Sequence, residues 1–129
     1  MAIEMIDPFE RFMLARGTID RRAVVAHVRS VLVNFAAKGQ YSKFYVGITG
    51  GLDERLKQHS AKKPEYRLMV PVYEEPAQYH ADAFDHLELD TINALRGGIV
   101  HPDTKRVVLT CANGPGGAAA KRWLYLLLG

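Results

Sequence analysis

The stretch 43–60, "KFYVGITGGLDERLKQHS", constrains the fold more than any other part of the chain. Its first seven residues are aromatic and β-branched, which predicts a strand, and the two glycines that follow predict its end. Leu52 and Leu56 then lie four residues apart behind two acidic residues, which predicts a short helix. A strand that turns directly into a helix is typical of an α/β domain.

The rest of the chain repeats this alternation. Strands are predicted at 43–49, 66–75 and 105–114, and helices at 18–38, 52–59, 78–98 and 116–129. We therefore expect a single α/β (α+β) domain over 1–129. Its predicted core is a small mixed three-stranded sheet flanked by helices, with an extra N-terminal helix.

The composition narrows the class of protein. The 129 residues are 48% hydrophobic and 24% charged, as in globular domains, and the net charge of +3 permits binding to a phosphate backbone without requiring it. The single cysteine, Cys111, excludes an internal disulfide and multi-cysteine metal sites. No signal peptide is recognised at the N-terminus and no apolar run approaches the ~20 residues that span a bilayer, so a cytoplasmic protein is expected.

The helix over 52–59 carries the first candidate functional residues. Arg55 and His59 are four residues apart and neighbour each other beside the leucine stripe, and Tyr45 on the preceding strand can share their surface. Arginine offers a planar fork for phosphate oxygens, and histidine can transfer protons near neutral pH. Taken alone, Arg55 and His59 are better interpreted as a solvated helix face.

The second long helix contains a carboxylate at an apolar position. Its apolar stripe comprises Phe84, Leu87, Ile92 and Leu95. Glu88 falls inside this stripe, where an unpaired charge is too costly to bury. Its partner could be Arg55, a metal ion or solvent, and a structural ion pair and a metal site remain open on equal terms.

Taken together, these residues resemble those of the GIY-YIG nuclease family. The segment "YVGITGGLDERLKQH" places Tyr45, Gly47, Arg55 and His59 in the register of the family's second motif, and "LELDTI" with Glu88 is similar to its metal-binding helix. The resemblance covers about residues 43–95. It leaves 1–42 as an N-terminal helical extension and 96–129 as a C-terminal strand and helix.

The resemblance implies a metal-dependent endonuclease that hydrolyses phosphodiester bonds of DNA. Glu88 would hold a single Mg²⁺ ion, Arg55 would clamp the non-bridging phosphate oxygens, and Tyr45 or His59 would help to deprotonate the attacking water. Nearby cations would contact the phosphate backbone: Lys43, Lys57, Lys62, Lys63 and Arg67.

The chain departs from the family at the first motif, because no Gly-Ile-Tyr strand precedes residue 45. Tyr41, Tyr66 and Tyr73 all remain open as replacements for the missing tyrosine, and Asn113 is the candidate for the family's downstream asparagine. The alternative function is a catalytically degenerate domain that binds nucleic acid or protein. A third interpretation is an unrelated interaction module with a structural Glu88–Arg55 pair. The apolar run 123–128 is interpreted as core or as a homodimer contact.

Overall fold

The described strands form one mixed sheet with helices on both faces. The computed structural model describes residues 3–6, 12–14, 21–74, 90–113 and 123–129. Along the chain the elements are β1 (Glu4–Met5), α1 (Arg21–Lys38), β2 (Lys43–Thr49), α2 (Leu52–Lys62), β3 (Leu68–Glu74), a helical segment α3 (90–95), β4 (Ile99–Val100), β5 (Val107–Cys111) and β6 (Trp123–Leu128).

The sheet has the order β1-β3-β6-β2-β5-β4. Strand β6 lies at its centre and pairs antiparallel with β2 on one side and with β3 on the other. Strand β5 runs parallel to β2, and β1 runs parallel to β3. Since β2 and β3 are both antiparallel to β6, they run parallel to each other, and α2 is the crossover that connects them.

One face of the sheet packs against α1 and α3. The largest apolar cluster joins the two layers, and residues at helical spacing on one side of α1 supply its helical part: Val24, Val28, Val31, Leu32 and Phe35. The α3 residues Ile92 and Leu95 are also buried here. The same face of the sheet is formed by alternate residues of β2 and β6, such as Phe44 and Leu126.

The other face of the sheet packs against α2. Leu52 is buried and Leu56 is partly buried in a second apolar cluster, so this pair of leucines anchors α2 to the sheet. The side chains of β2 and β6 that alternate with those of the first face lie here, among them Tyr45 and Tyr125. The fold therefore places the residues around the β2–α2 turn on a face separate from the main core.

Several predicted elements are confirmed. Helix α1, strands β2, β3 and β5 and helix α2 all lie where the sequence predicts them. Gly39 has a φ of +69° and ends α1, as its position after the apolar stripe predicts. The register of β3 against β6 shifts between Pro71 and Tyr73, because proline cannot donate to the ladder.

Two predictions about the sheet are wrong. The sheet has six strands among the described residues, against the three expected, because β1, β4 and β6 were not recognised as strands. The C-terminal segment predicted as a helix contains β6 instead. Its run "WLYLLL" shows no alternation of apolar and polar residues because both faces of the strand are covered, so its period of two is hidden.

Part of the second long helix lies outside the description of the structure. Residues 90–95 of the predicted 78–98 are helical, and Gly98, with a φ of +86°, follows their end. Residues 75–89, which include Glu88, are not among the described residues. Within the described ranges, no helix combines the length and the apolar character that a bilayer crossing requires.

Candidate functional site

Gly47 makes room for a tyrosine from the neighbouring strand. In the β2–β6 ladder Gly47 lies opposite Tyr125. A Cβ atom at position 47 would lie only 2.4 Å from both the Cζ and the hydroxyl oxygen of Tyr125. Glycine is therefore sterically required as the third residue of "YVG", since any side chain there would displace the Tyr125 ring from its position across β2.

The Tyr125 side chain contacts His59 on α2. The Nε2 atom of His59 and the hydroxyl oxygen of Tyr125 share a hydrogen bond of 2.6 Å, in which the imidazole tautomer decides the donor. Both residues are buried, with 5% of His59 and 1% of Tyr125 exposed. Burial, reinforced by the positive charges of Arg55 and Lys63, lowers the pKa of His59 from 6.5 to about 4. His59 is therefore neutral at physiological pH.

Tyr45 is the more accessible aromatic group of this cluster. Its half-buried ring contacts His59 edge-on, with 5.6 Å between the ring centroids, and lies 6.4 Å from the ring of Tyr66. The Nζ atom of Lys63 lies 4.7 Å from the Tyr45 centroid, within the range of a cation–π contact. The strand and the helix thus bring Tyr45, His59 and Tyr125 into one cluster.

Arg55 lines a cleft where β2 turns into α2. The cleft has a volume of about 300 Å³ and is lined by Thr49, Gly50, Gly51, Glu54, Arg55 and Gln58. Gly51 is the N-cap of α2 and supplies no side-chain hydrogen bond to the first turn. Free amides at a helix N-terminus and a guanidinium both favour an anion, whereas the Glu54 carboxylate opposes it. A cation that neutralised the Glu54 carboxylate would therefore strengthen the binding of an anion in this cleft.

The basic residues predicted to contact nucleic acid lie on or beside α2. Lys57, Lys62 and Arg67 are exposed, whereas Lys43 and Lys63 are half-buried because each lies over a tyrosine ring. Lys43 also forms an ion pair of 3.8 Å with Glu65. Lys57 and Lys62 lie on α2, Lys63 and Arg67 lie between α2 and β3, and Lys43 is the first residue of β2.

The three tyrosines left open as substitutes occupy different surroundings. Tyr73 is buried in the core on the α1 face, and Tyr41 packs edge-on against Phe35 of the same cluster, so neither is part of the α2 face. Tyr66 does approach Tyr45, but burial, together with the charge of Glu65, raises its pKa to about 12. Tyr66 therefore holds its proton more firmly than an ordinary tyrosine, which makes it a poor candidate for a base.

Asn113 has a structural role in the sheet. Its side-chain oxygen accepts the N–H of Val46 and its side-chain nitrogen donates to the Val46 carbonyl, both at 2.8 Å. The side chain thereby continues the pairing of β5 with β2 beyond the end of β5. Both polar atoms of this amide are hydrogen-bonded to the backbone, and its oxygen also accepts from Cys111 Sγ at 3.6 Å, so the side chain stabilises the sheet.

The predicted metal site cannot be assembled from the described residues. Glu88, its single predicted ligand, lies outside them, and within them no three or more His, Cys, Asp or Glu side chains are grouped closely enough to hold a metal ion. Neither the Glu88–Arg55 pair nor the Glu88 metal site is described, and both stay predictions.

Comparisons of the chain with protein-family models, curated proteins and solved structures gave no match. The resemblance to GIY-YIG nucleases therefore rests on the motif residues alone. Tyr125 is the site residue that the sequence did not reveal, because its strand was predicted as a helix. One signal was available, since a glycine inside a strand indicates close approach by another group.

Proposed function

We propose that the chain is a metal-dependent endonuclease that hydrolyses phosphodiester bonds of DNA. The observation that carries the proposal is the clustering of Tyr45, His59 and Tyr125 on the face that also bears Arg55. Phosphodiester hydrolysis needs a cationic group for the non-bridging oxygens and a group that accepts a proton from water. This face supplies candidates for both.

Arg55 is the proposed phosphate ligand. Its guanidinium can donate two parallel hydrogen bonds to non-bridging oxygens, and charge that develops on those oxygens strengthens the bonds. The cleft at the N-terminus of α2 gives a phosphate a place beside Arg55. A Mg²⁺ ion held by Glu88 would offset negative charge on the leaving oxygen.

Tyr45 is a better candidate than His59 for the proton acceptor. A general base works best when its pKa lies near the operating pH, and the pKa of about 4 makes His59 a weak base. Tyr45 is more exposed than His59, and the Lys63 ammonium makes a cation–π contact with its ring. In this proposal the phenolate form of Tyr45 accepts a proton from water, and the resulting hydroxide attacks phosphorus. The bond to the leaving oxygen breaks and that oxygen takes a proton from solvent. His59, which is hydrogen-bonded to Tyr125, holds the Tyr45 ring in place through its edge-on contact.

A plasmid-nicking assay with Mg²⁺ tests the proposal. We expect wild type to nick the plasmid and Arg55→Ala to lower the rate by roughly 10²–10³-fold, since it removes a group that stabilises transition-state charge. Glu88→Ala and removal of Mg²⁺ with a chelator should also abolish nicking. The matched control is Arg106→Ala, which removes an exposed arginine from the loop between β4 and β5 and should leave the rate unchanged. Undiminished nicking by both Arg55→Ala and Glu88→Ala would contradict the assignment.

A second function, binding without catalysis, is favoured by the burial of the His59–Tyr125 pair. Only 5% of His59 and 1% of Tyr125 are exposed, and their hydrogen bond joins α2 to the central strand. A buried hydrogen-bonded pair in that position can hold α2 on the sheet in a domain that has no catalytic activity. Folded wild type that binds DNA but does not nick it would favour this function over the nuclease.

A further inference from the structure

At one end of its strands, the sheet carries a row of cations stacked on aromatic rings. This end, where β2 and β3 begin and β6 ends, is closed by backbone hydrogen bonds from Ser42 to Gly129 and from Arg67 to Leu128, both 2.8 Å long. Its cation–aromatic pairs are Lys38 over Phe35 at 5.1 Å, Arg67 over Tyr41 at 4.7 Å, Lys43 over Tyr66 at 4.9 Å and Lys63 over Tyr45 at 4.7 Å. We call this set of residues the basic edge.

Arg67 is held in a fixed orientation although it is exposed. Its guanidinium stacks on the ring of Tyr41 and donates a hydrogen bond to the backbone oxygen of Gln40. Tyr41 is fixed in turn by an edge-on contact with Phe35, with 5.7 Å between the ring centroids. A long surface side chain normally keeps most of its rotamer freedom, so these contacts present a preformed planar cation to solvent.

A cleft of about 540 Å³ adjoins this guanidinium. It is lined by residues that include Tyr41, Tyr66 and Arg67, with the carboxylates of Glu4 and Glu65. Clefts of this size hold small organic ligands, and one nucleobase is smaller still. Unpaired bases stack on aromatic side chains and on arginine guanidinium planes.

The charges of the basic edge suit a polyanion. Lys38, Lys43, Lys63 and Arg67 contribute four positive charges, and Glu4 and Glu65 contribute two negative ones, of which Glu65 is paired with Lys43. A single-stranded nucleic acid presents both flat bases and phosphates, and the basic edge presents aromatic rings with cations lying over them. A duplex keeps its bases stacked inside and could use only the cations.

We infer that the basic edge binds single-stranded DNA, with one unpaired base stacked on Arg67 in the cleft and the flanking phosphates on Lys43 and Lys63. The inference rests on the proposed function only in naming DNA as the ligand. The cleft at Arg55 lies at the opposite end of β2, whose seven residues span about 20 Å. The substrate class that this spacing fits is DNA with an unpaired segment beside the bond to be cleaved.

Fluorescence anisotropy with a labelled oligothymidylate of about 12 nucleotides, within the ~4–16 nucleotides that single-strand modules cover, tests the inference. A chelator prevents cleavage during the measurement, and a duplex of equal length is titrated in parallel. The decisive variant is Arg67→Lys, which keeps the charge but removes the plane on which a base stacks. Its matched control is Arg106→Lys.

We expect Arg67→Lys to raise the Kd for the single strand roughly tenfold, within the range measured for loss of one stacked base, and to change the Kd for duplex less than about twofold. Arg106→Lys should change neither value. Lys43→Ala should weaken binding to both ligands and reduce the salt dependence by about one phosphate contact. Circular dichroism of each variant checks that the fold is retained.

Equal affinity of Arg67→Lys and wild type for the single strand would overturn the inference, even if wild type nicks plasmids. Tighter binding to the duplex, or to an oligouridylate of the same length, would overturn the assignment to single-stranded DNA. Conversely, single-strand binding that depends on Arg67, in a protein that nicks nothing, would support the inference and contradict the nuclease proposal.

Discussion

At the scale of single residues, the contact between Gly47 and Tyr125 connects the sequence motif to the site. The spacing of its residues identifies the motif "YVG", but only the position of Tyr125 across the ladder explains why its third residue is glycine. Tyr45, Arg55 and His59 could be proposed from the sequence because strand and helix periodicity place them near one another. Tyr125 could not, because its position depends on long-range pairing that no local pattern encodes.

Gly47→Ala should destabilise the protein because the new methyl group overlaps the Tyr125 ring. We expect the free energy of unfolding to fall by about 1–3 kcal/mol, as for other overpacked cores. Urea denaturation measures the change. Gly50→Ala is the matched control, since a Cβ atom at position 50 meets nothing within 4 Å. Equal stability of the two variants would show that Tyr125 does not occupy the described position.

The lowered pKa of His59 predicts a loss of stability in acid. The unfolded chain takes up the imidazole proton near pH 6.5, whereas the folded protein resists it until about pH 4. The contribution of neutral His59 is therefore fully present above pH 6.5 and is lost as the pH falls to about 4, by up to about 3 kcal/mol.

Urea denaturation between pH 7.5 and pH 4 measures this dependence. His59→Gln removes the titrating group, so its unfolding free energy should fall less steeply over this range than that of wild type. If the unfolding free energy of His59→Gln fell with pH as steeply as that of wild type, His59 would not be held neutral in the folded protein.

At the scale of elements, secondary structure is predicted correctly where apolar and polar residues alternate with a regular period. The prediction fails where an element is buried on both faces, because the period is then absent. Helix α1 alternates buried and exposed positions with a clear period, and its prediction is confirmed. Strand β6 offers six consecutive apolar or aromatic residues after an alanine-rich segment, so helix and strand are locally indistinguishable. Its pairing with β2 and β3 decides the outcome.

Truncation of a β6 side chain tests its central position. Leu126 is fully buried, so Leu126→Ala should lower the free energy of unfolding by about 2–5 kcal/mol. Val107→Ala is the control within a strand near the edge of the sheet, where 53% of the side chain is exposed, and it should cost less than about 1 kcal/mol. Similar losses in the two variants, measured by urea denaturation, would contradict the strand order.

At the scale of the whole molecule, protection against hydrogen exchange should decrease outward from β6. The two-residue strands β1 and β4 lie at the edges of the sheet and pair on one side only, whereas β6 is paired on both sides. Elements with few buried contacts open locally, while central strands exchange only through global unfolding.

We expect amides of β6 and β2 to exchange at least about tenfold more slowly than those of β1 and β4, a difference of at least ~1.4 kcal/mol in opening free energy. Hydrogen–deuterium exchange followed by NMR resolves the individual amides. Equal protection of β1 and β6 would indicate that the sheet opens as a single unit.

The central place of β6 also affects how the protein can be made. Strands β1 and β3 form one half of the sheet, and β2, β5 and β4 form the other. Among the described strands, β6 alone pairs with both halves. Because β6 follows the other five described strands in sequence, the ribosome synthesises the two halves before the strand that unites them. A nascent chain must keep the open edges of β2 and β3 from pairing with other chains until residues 123–128 emerge, and folding should then be slow, as expected for pairings of high contact order.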